Sequence, residues 1–295
     1  MSSALLTFIL ALTVAFVLGF FAFRWFERAV TFHPVRCLPG EVWKLPAGGE
    51  EVWLTTMSGE RLHGWFLPSR LGSSGTVLYF HGNGGNLSEI AWIGQRLAAR
   101  DLNVMIFDYR GYGRSEGRAG DERHLNADGD AAYDYLVRRR GINPEKLALY
   151  GHSLGTTVAV DIASRKPCGA LILESGFSSL SDMAYVVLPW LPRWLHRLSR
   201  NHFESARKMA NVRCPVLITH GDRDEVIPVS QAHKLYALAP EPKRLLIVPG
   251  AAHNVTWFGG NAYLDQIAAF IHQTLAPAHD NSVCEEEAIT LGANY

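Results

Sequence analysis

The chain has 295 residues, 48% of them hydrophobic and 19% charged, and its 28 basic side chains balance its 28 acidic ones. This length and composition predict an ordinary globular protein with one large core or two modest ones, and the balanced charge argues against a nucleic-acid partner. The four cysteines are widely scattered without a Cys-x-x-Cys or Cys/His ligand spacing, so we expect neither a metal site nor a disulfide framework.

The N-terminal segment departs from this ordinary composition. Residues 4–23 are twenty consecutive uncharged residues rich in Leu, Phe, Val and Ala, enough for a helix to cross the ~30 Å hydrocarbon core of a membrane. A cleavable signal peptide would have a basic start, a shorter apolar stretch and a small-residue cleavage site, whereas this segment ends in aromatic residues. We therefore expect residues 1–25 to be a retained, single-pass membrane anchor.

The charges beside the anchor predict its orientation. Basic residues flank it only on the C-terminal side, at Arg24, Arg28 and Arg36. Such residues favour the cytoplasmic side of a membrane, so we expect a membrane protein whose large domain faces the cytoplasm.

A connector over residues 26–50 follows the anchor, and the chain then alternates between strand and helix patterns. The predicted strands lie at 51–56, 62–67, 76–80, 103–108, 147–150, 170–174, 216–220 and 244–248, and the predicted helices at 87–99, 122–139, 153–165, 230–238 and 262–275. From residue 76 onward the strands are apolar throughout, which is typical of parallel strands covered on both faces. The predicted fold class is therefore α/β, with a mostly parallel central sheet and helices on both faces over residues 51–276.

Two segments fall outside this alternation. Residues 180–203 are rich in Leu, Val, Trp and Pro with interleaved arginines, and they lie between two core strands, beyond the strand ends that would carry an active site. We interpret them as a short lid insertion; the alternative is an irregular helix that packs on the body and has no substrate role. Residues 277–295 are acidic and lack periodicity, which predicts a mobile C-terminal tail.

Residues 151–155 read Gly-His-Ser-Leu-Gly, a G-x-S-x-G pattern placed between a predicted strand and a predicted helix. At such a sharp strand-to-helix turn the serine hydroxyl is pushed out of the sheet, and the flanking glycines let neighbouring backbones pass closely. The pentapeptide alone is common, but this setting makes Ser153 the candidate nucleophile of an acyl-transfer enzyme.

A serine nucleophile needs a base, an acid that orients the base and donors for the oxyanion. In parallel α/β sheets such groups lie in the loops beyond the carboxyl ends of strands. His253 follows the last predicted strand, and an imidazole titrating near neutrality can take the serine proton and return it to the leaving group. The acid is expected after the preceding strand, where Asp224 is preferred; Asp222, Glu174 and Asp182 are the alternatives.

The oxyanion donors are expected to be backbone N–H groups near the nucleophile. One belongs to Leu154, which follows the serine directly. The other belongs to the glycine-rich loop of residues 81–86, His-Gly-Asn-Gly-Gly-Asn, where Asn83 is the candidate and Gly84 lies next to it. This loop does not read as G-x-G-x-x-G, so we expect neither a dinucleotide site nor any other cofactor.

Six motifs spread from residue 81 to residue 254 share one further property. They are HGNGGN at 81–86, FDYRGYGRSEG at 107–117, GHSLG at 151–155, ESGFSS at 174–179, CPVLITHGDRDEVIP at 214–228 and GAAHN at 250–254. Together they resemble the motifs of the α/β-hydrolase superfamily, and within it the membrane-anchored group that includes Bem46-like and ABHD-type (α/β-hydrolase-domain) proteins. The resemblance covers roughly residues 50–275 together with the anchor, and the chain order Ser153, Asp224, His253 is also that of this superfamily.

The resemblance implies an enzyme that hydrolyses esters, thioesters or lipid acyl groups through a Ser-His-Asp triad and an acyl-enzyme. The anchor and the apolar lid favour a lipid or long-chain acyl substrate. The alternatives are a serine peptidase of the related type and a non-catalytic membrane scaffold with a hydrolase fold. Substrate contacts are expected from five positions in the motif loops and the lid: Gly84, Tyr109, His152, Leu188 and Trp190.

Overall fold

A computed structural model describes residues 3–69, 72–187, 189–190 and 199–276, with the side chains of residues 30 and 187 excepted. Within these ranges eight strands form one mixed sheet. The strands are β1 (Glu50–Thr55), β2 (Arg61–Leu67), β3 (Gly75–Phe80), β4 (Leu102–Phe107), β5 (Leu147–His152), β6 (Ala170–Glu174), β7 (Val216–Gly221) and β8 (Lys243–Val248). Their order in the sheet is β1-β2-β4-β3-β5-β6-β7-β8. The pairs β1/β2 and β2/β4 are antiparallel, and all further neighbours are parallel.

The burial of β1, β3 and β6 reflects their places in the sheet. β3 and β6 are buried at every residue, as strands in the middle of a sheet with two covered faces must be. β1 alternates exposed and buried positions from its second residue on, which suits an antiparallel strand at the edge. The predicted α/β class with a mostly parallel sheet is confirmed, because five of the seven strand pairs are parallel.

Helices cover both faces of this sheet. The α-helices of the described residues are α1 (Ser3–Thr31), α2 (Leu87–Ala98), α3 (Glu122–Asp134), α4 (Leu154–Ala163), α5 (Leu180–Val187), α6 (Ser205–Met209), α7 (Ser230–Leu238) and α8 (Val255–Leu275). α2 and α8 pack together on one face, where Ile93 and Leu264 belong to a buried apolar cluster. On the other face α3, α4, α6 and α7 bury a second cluster that includes Val158 and Leu235. The two clusters hold the strand ends in fixed positions.

The N-terminal helix α1 extends past the predicted anchor. Its stretch Ser3–Ala29 is long and apolar enough to span a membrane; the mean hydropathy of its most apolar window is 2.6, and none of that window is buried in protein. The helix ends at Thr31, shortly before Pro34, because proline disfavours a helical conformation in the residue preceding it. The first residues of the predicted connector are therefore helical.

The rest of the connector is fixed to the α/β domain. Phe32 and Trp43 are both buried. Backbone hydrogen bonds run from Gly113 N to Val35 O at 2.9 Å and from Cys37 N to Gly113 O at 3.0 Å. The segment that follows α1 thus forms ordered contacts with the loop after β4.

The last turns of α1 also contact the far end of the predicted lid. Glu27 is 8% exposed, and its Oε1 accepts hydrogen bonds from Arg200 N at 2.9 Å, Asn201 N at 3.2 Å and Asn201 Nδ2 at 3.1 Å. α1 is therefore joined to the domain at two places, through Glu27 and through the connector.

The predicted lid, residues 180–203, is described only in part. Helix α5 forms its beginning, and Trp190 is 75% exposed. Leu188 and residues 191–198 lie outside the described residues, and so does the predicted tail at 277–295.

Candidate active site

Ser153 lies at the turn between β5 and α4. Its backbone has φ 51° and ψ −118°, a strained conformation that persists only where the surrounding structure imposes it. A Cβ on Gly155 would lie 2.1 Å from the carbonyl oxygen of Phe80, and a Cβ on Gly151 would lie 2.5 Å from that of Gly155. The two glycines of the pentapeptide therefore allow β3, β5 and α4 to approach closely, and the turn lifts the serine hydroxyl away from the sheet.

Three side chains meet beyond the carboxyl ends of β5, β7 and β8. His253 Nε2 lies 3.0 Å from Ser153 Oγ, and His253 Nδ1 lies 2.8 Å from Asp224 Oδ2. Because an ionised carboxylate only accepts hydrogen bonds, Nδ1 carries the imidazole proton and Nε2 accepts the serine O–H. The side chain of Asp224 is fully buried, and that of His253 is 16% exposed. The three groups can withdraw a proton from Ser153.

Asp224 is held in its ionised form by four donors. Its Oδ1 accepts hydrogen bonds from the backbone N–H groups of Val226 and Ile227, at 2.9 and 2.8 Å, and its Oδ2 accepts from His253 and His220. Burial opposes ionisation, but the hydrogen bonds from His220, His253 and Ile227 outweigh it and hold the pKa of Asp224 well below its usual range. A carboxylate that stays charged can orient the imidazole and stabilise the imidazolium.

The other acidic candidates have different partners. Asp222 accepts a backbone N–H of the loop after β8 at 2.6 Å, and Glu174 accepts a backbone N–H in the first turn of α8 at 2.8 Å. Asp182 pairs with a lysine of α7. Of the four carboxyl groups considered, Asp224 is the one whose described contacts include His253.

His220 is a contact of the site that the sequence analysis missed. It is fully buried at the end of β7, where its Nε2 lies 2.8 Å from the carbonyl oxygen of Ile227 and 3.1 Å from Asp224 Oδ2. Because a carbonyl oxygen only accepts, Nε2 carries the proton and shares it with the carboxylate. The signal in the sequence was its position, at a strand end directly before the acidic loop.

The two predicted oxyanion donors lie close to the nucleophile. Leu154 is the first residue of α4, so its N–H has no partner within the helix. The loop of Asn83 approaches from β3: a Cβ on Gly82 would lie 3.4 Å from Ser153 Cβ and 3.0 Å from His152 Nδ1. Asn83 also lines the same cavity as Ser153. The role of these two backbone N–H groups stays a prediction.

A cavity of about 410 Å³ opens over Ser153. Its wall includes Ile90 and Ile93 from α2 and Trp257 from α8. The volume is in the range of small-molecule sites, which are lined mostly by apolar side chains and a few polar groups. This wall was not predicted from the sequence, because its residues have the pattern of ordinary apolar positions of helices.

Some of the predicted substrate-contact residues line the cavity and others lie away from it. Gly84 and His152 line the cavity. Tyr109 is fully buried, and its hydroxyl lies 3.3 Å from the carbonyl oxygen of the first residue of the glycine-rich loop. This corrects the expectation of direct contact: Tyr109 supports the loop from within the core. Trp190 is exposed and lies outside the described lining of the cavity, and Leu188 is not among the described residues.

The imidazole next to Ser153 in the chain, that of His152, favours its neutral form. His152 lies next to Ser153 with its ring centroid 5.3 Å from that of His253, and burial lowers the pKa of His152. With His152 neutral, Asp224 is the charged side chain that contacts His253. Over the described ranges, no three His, Cys, Asp or Glu side chains are grouped as ligands of a metal ion would be.

Comparison with known proteins agrees with the observed fold. The family model described as serine aminopeptidase, S33, matches residues 72–208. An uncharacterized protein of Mycobacterium tuberculosis is 38% identical over 270 residues, which cover 90% of this chain and 95% of the relative. The chain belongs to the α/β-hydrolase superfamily. Another relative of this α/β hydrolase, the uncharacterized protein YfhR of Salmonella typhi, is 37% identical over 254 residues, which cover 78% of this chain and 84% of the relative.

Solved structures share the fold of this α/β hydrolase. An esterase of Pyrococcus furiosus superposes with a TM-score of 0.65 at 19% identity, and the match covers 83% of this chain and 100% of that chain. The esterase domain of a Rhodothermus marinus protein gives a TM-score of 0.61 at 20% identity, over 77% of this chain and 99% of that chain. Membership of the superfamily identifies the chain as a hydrolase, and the superpositions show the common fold.

Proposed function

We propose that this α/β hydrolase is a serine hydrolase that cleaves carboxylic ester or thioester bonds through an acyl-enzyme on Ser153. The observation that carries the proposal is the hydrogen-bonded series of Ser153, His253 and Asp224 at the edge of a cavity. A buried, ionised acid, an oriented imidazole and a hydroxyl at the cavity wall are the groups that acyl transfer requires.

The chemistry follows from this geometry. Ser153 Oγ attacks the substrate carbonyl carbon as its proton moves to His253 Nε2, and the resulting oxyanion is stabilised by the backbone N–H groups of Leu154 and Asn83. The tetrahedral intermediate collapses, and the departing alcohol or thiol takes the proton from His253. Water then attacks the acyl-enzyme with His253 as base, and the carboxylic acid leaves as Ser153 recovers its proton.

The proposal includes a membrane anchor and a lipid or fatty-acyl substrate. At about 1.5 Å per residue, the 29-residue helix α1 is about 44 Å long, which exceeds the hydrocarbon core of a bilayer. The exposed apolar surface of α1 supports insertion, and Arg24, Arg28 and Arg36 on its C-terminal side favour a cytoplasmic domain. The apolar wall of Ile90 and Ile93 supports an acyl chain as the occupant of the cavity.

A serine peptidase is the second candidate. The observation that favours it is the description of the matching family model as a serine aminopeptidase. The same nucleophile, base and oxyanion donors would serve amide cleavage, so the leaving group of the substrate separates the two activities.

A substrate panel tests the proposal. Full-length enzyme in detergent is assayed with p-nitrophenyl esters of increasing acyl length, a lysophospholipid, an acyl thioester and an aminoacyl p-nitroanilide. We expect ester hydrolysis that rises with acyl length and is abolished by Ser153→Ala. The matched control is Ser164→Ala, at the opposite end of α4, which should retain the wild-type rate. Preferred cleavage of the p-nitroanilide would favour the peptidase, and an inactive wild type would contradict catalysis.

A further inference from the structure

His33, which follows closely on the end of α1, binds the side chain of Asn83 through two hydrogen bonds. The backbone N–H of His33 donates to Asn83 Oδ1 at 3.0 Å, and Asn83 Nδ2 donates to His33 Nδ1 at 2.8 Å. The amide nitrogen only donates, so Nδ1 is the accepting atom and the ring proton is on Nε2. The backbone and the side chain of His33 therefore join the connector to the side chain of Asn83 in the glycine-rich loop.

The backbone of Asn83 is fixed at the same place. The hydroxyl of Tyr112 donates to Asn83 O at 2.9 Å. Tyr112 is fully buried, and burial raises the pKa of its phenol, so the hydroxyl remains a donor. The residue after Tyr112 is itself bonded to the connector, through Gly113 N to Val35 O. Asn83 is thus held on its main chain and on its side chain by segments that contact each other.

A backbone donor stabilises an oxyanion only when its N–H is held in the required direction. The loop of Asn83 is rich in glycine, so its own backbone gives little restraint. His33 is an exposed residue that lies outside the sequence motifs. Its two hydrogen bonds to the Asn83 side chain restrain the glycine-rich loop.

We propose that His33 is a positioning residue for the oxyanion loop, which fixes Asn83 so that its backbone N–H faces the substrate oxygen. The inference rests on the proposed serine hydrolase function. Because His33 lies two residues after the end of α1, it also connects this helix to the catalytic centre.

Kinetics of four variants test the inference in full-length enzyme. His33→Leu removes the accepting atom, whereas His33→Asn keeps an acceptor close to the position of Nδ1. Asn83→Ala removes the partner side chain and keeps the backbone N–H. Val42→Ala, an 89% exposed position of the same connector, is the matched control. Each variant is measured for kcat and KM on a p-nitrophenyl ester and for inhibition by phenylboronic acid, which forms a tetrahedral adduct on the serine.

We expect His33→Leu to lower kcat about tenfold with KM nearly unchanged, and to weaken boronate inhibition by the same factor, because the oxyanion is bound only in the tetrahedral state. His33→Asn should regain most of the rate. The double variant His33→Leu with Asn83→Ala should be no slower than Asn83→Ala alone, because both changes break the same contact.

The outcomes separate the inference from the function on which it rests. Wild-type kcat in His33→Leu, a change confined to KM, additive effects in the double variant, or His33→Asn as slow as His33→Leu would each overturn the positioning role. A wild type no faster than Ser153→Ala in the same assay would instead contradict the serine hydrolase function, and the inference with it.

Discussion

Asp224 shows how one side chain can satisfy a structural and a chemical requirement together. Its Oδ1 closes the turn after β7 by accepting from Val226 and Ile227, while Oδ2 faces His253 and His220. The loop therefore fixes the carboxylate independently of the imidazole. A substitution that keeps the turn can remove the acid alone.

Asp224→Asn is the substitution that tests this separation. An amide oxygen can still accept from the backbone of the turn, but the amide nitrogen opposite His253 would favour the imidazole tautomer with the proton on Nε2. That tautomer has no acceptor for the serine proton, so we expect kcat to fall by roughly 10⁴ with little change in melting temperature. Ester hydrolysis and thermal unfolding measure the two quantities, and activity within tenfold of wild type would exclude Asp224 as the orienting acid.

The buried carboxyl of Asp108 should make the free energy of unfolding depend on pH. It is buried at the end of β4, where its Oδ1 accepts the backbone N–H of Leu87 at 2.7 Å, and burial raises the pKa of Asp108 to about 8. The unfolded carboxyl titrates near the ordinary value of about 3.9, so between about pH 4 and pH 8 the folded state binds more protons and stability falls as the pH rises. The contribution of Asp108 to the free energy of unfolding is complete below the pKa of the carboxyl in the unfolded chain. It is lost as the pH rises through the pKa of Asp108 in the folded protein.

Asp108→Asn should flatten this dependence. The amide oxygen keeps the bond to Leu87 and the titrating proton is gone, so the melting temperature of the variant should change less than that of wild type between pH 5 and pH 8. Thermal unfolding at matched ionic strength gives the comparison. Parallel curves for the two proteins would show that Asp108 does not carry the effect.

At the scale of elements, β3, β5 and α4 pack closely against one another at the two glycines of the pentapeptide. Gly155→Ala would place a methyl group 2.1 Å from the carbonyl oxygen of Phe80, where only backbone movement could relieve the overlap. We expect a loss of roughly 3 kcal/mol or more in the free energy of unfolding, together with loss of activity. Gly84→Ala is the control for stability, because a Cβ there meets nothing within 4 Å. Equal unfolding midpoints for the two variants would contradict the steric account.

Much of the architecture could be predicted from the sequence because the parallel strands are mostly apolar and the motifs follow their carboxyl ends. The beginning of α8 was missed: the predicted helix starts at residue 262, whereas α8 starts at Val255 and contains a non-helical Gly260, with φ 54°. Glycine in that stretch reads as a break, and only packing against the sheet shows that helix lies on both sides of it. The wall of Ile90 and Trp257 and the contact of His33 with Asn83 are likewise products of tertiary structure that no local pattern encodes.

At the scale of the whole molecule, helix α1 consists of two parts with different surroundings. Its first part is exposed and apolar, whereas its last turns contact the domain through Glu27, and the connector continues that contact through His33. The boundary between the proposed anchor and the domain therefore lies inside the helix, not at its end.

Two truncations test where that boundary lies. Removal of residues 2–22 takes away most of the apolar surface and leaves Glu27 and His33, so we expect a soluble protein with near wild-type kcat on a short-chain ester. Removal of residues 2–36 also takes away both contacts, and kcat should fall about tenfold or more. Flotation and ester hydrolysis measure the two properties. Firm membrane attachment of the shorter truncation would contradict α1 as the anchor.

Mass spectrometry of the enzyme after reaction with a fluorophosphonate tests the central claim most directly. We predict a single phosphonylated residue, Ser153, in wild type and in Ser164→Ala, no adduct in Ser153→Ala, and slow labelling in His253→Ala. An adduct on another residue, or an unlabelled wild type under conditions that label other serine hydrolases, would contradict Ser153 as the nucleophile.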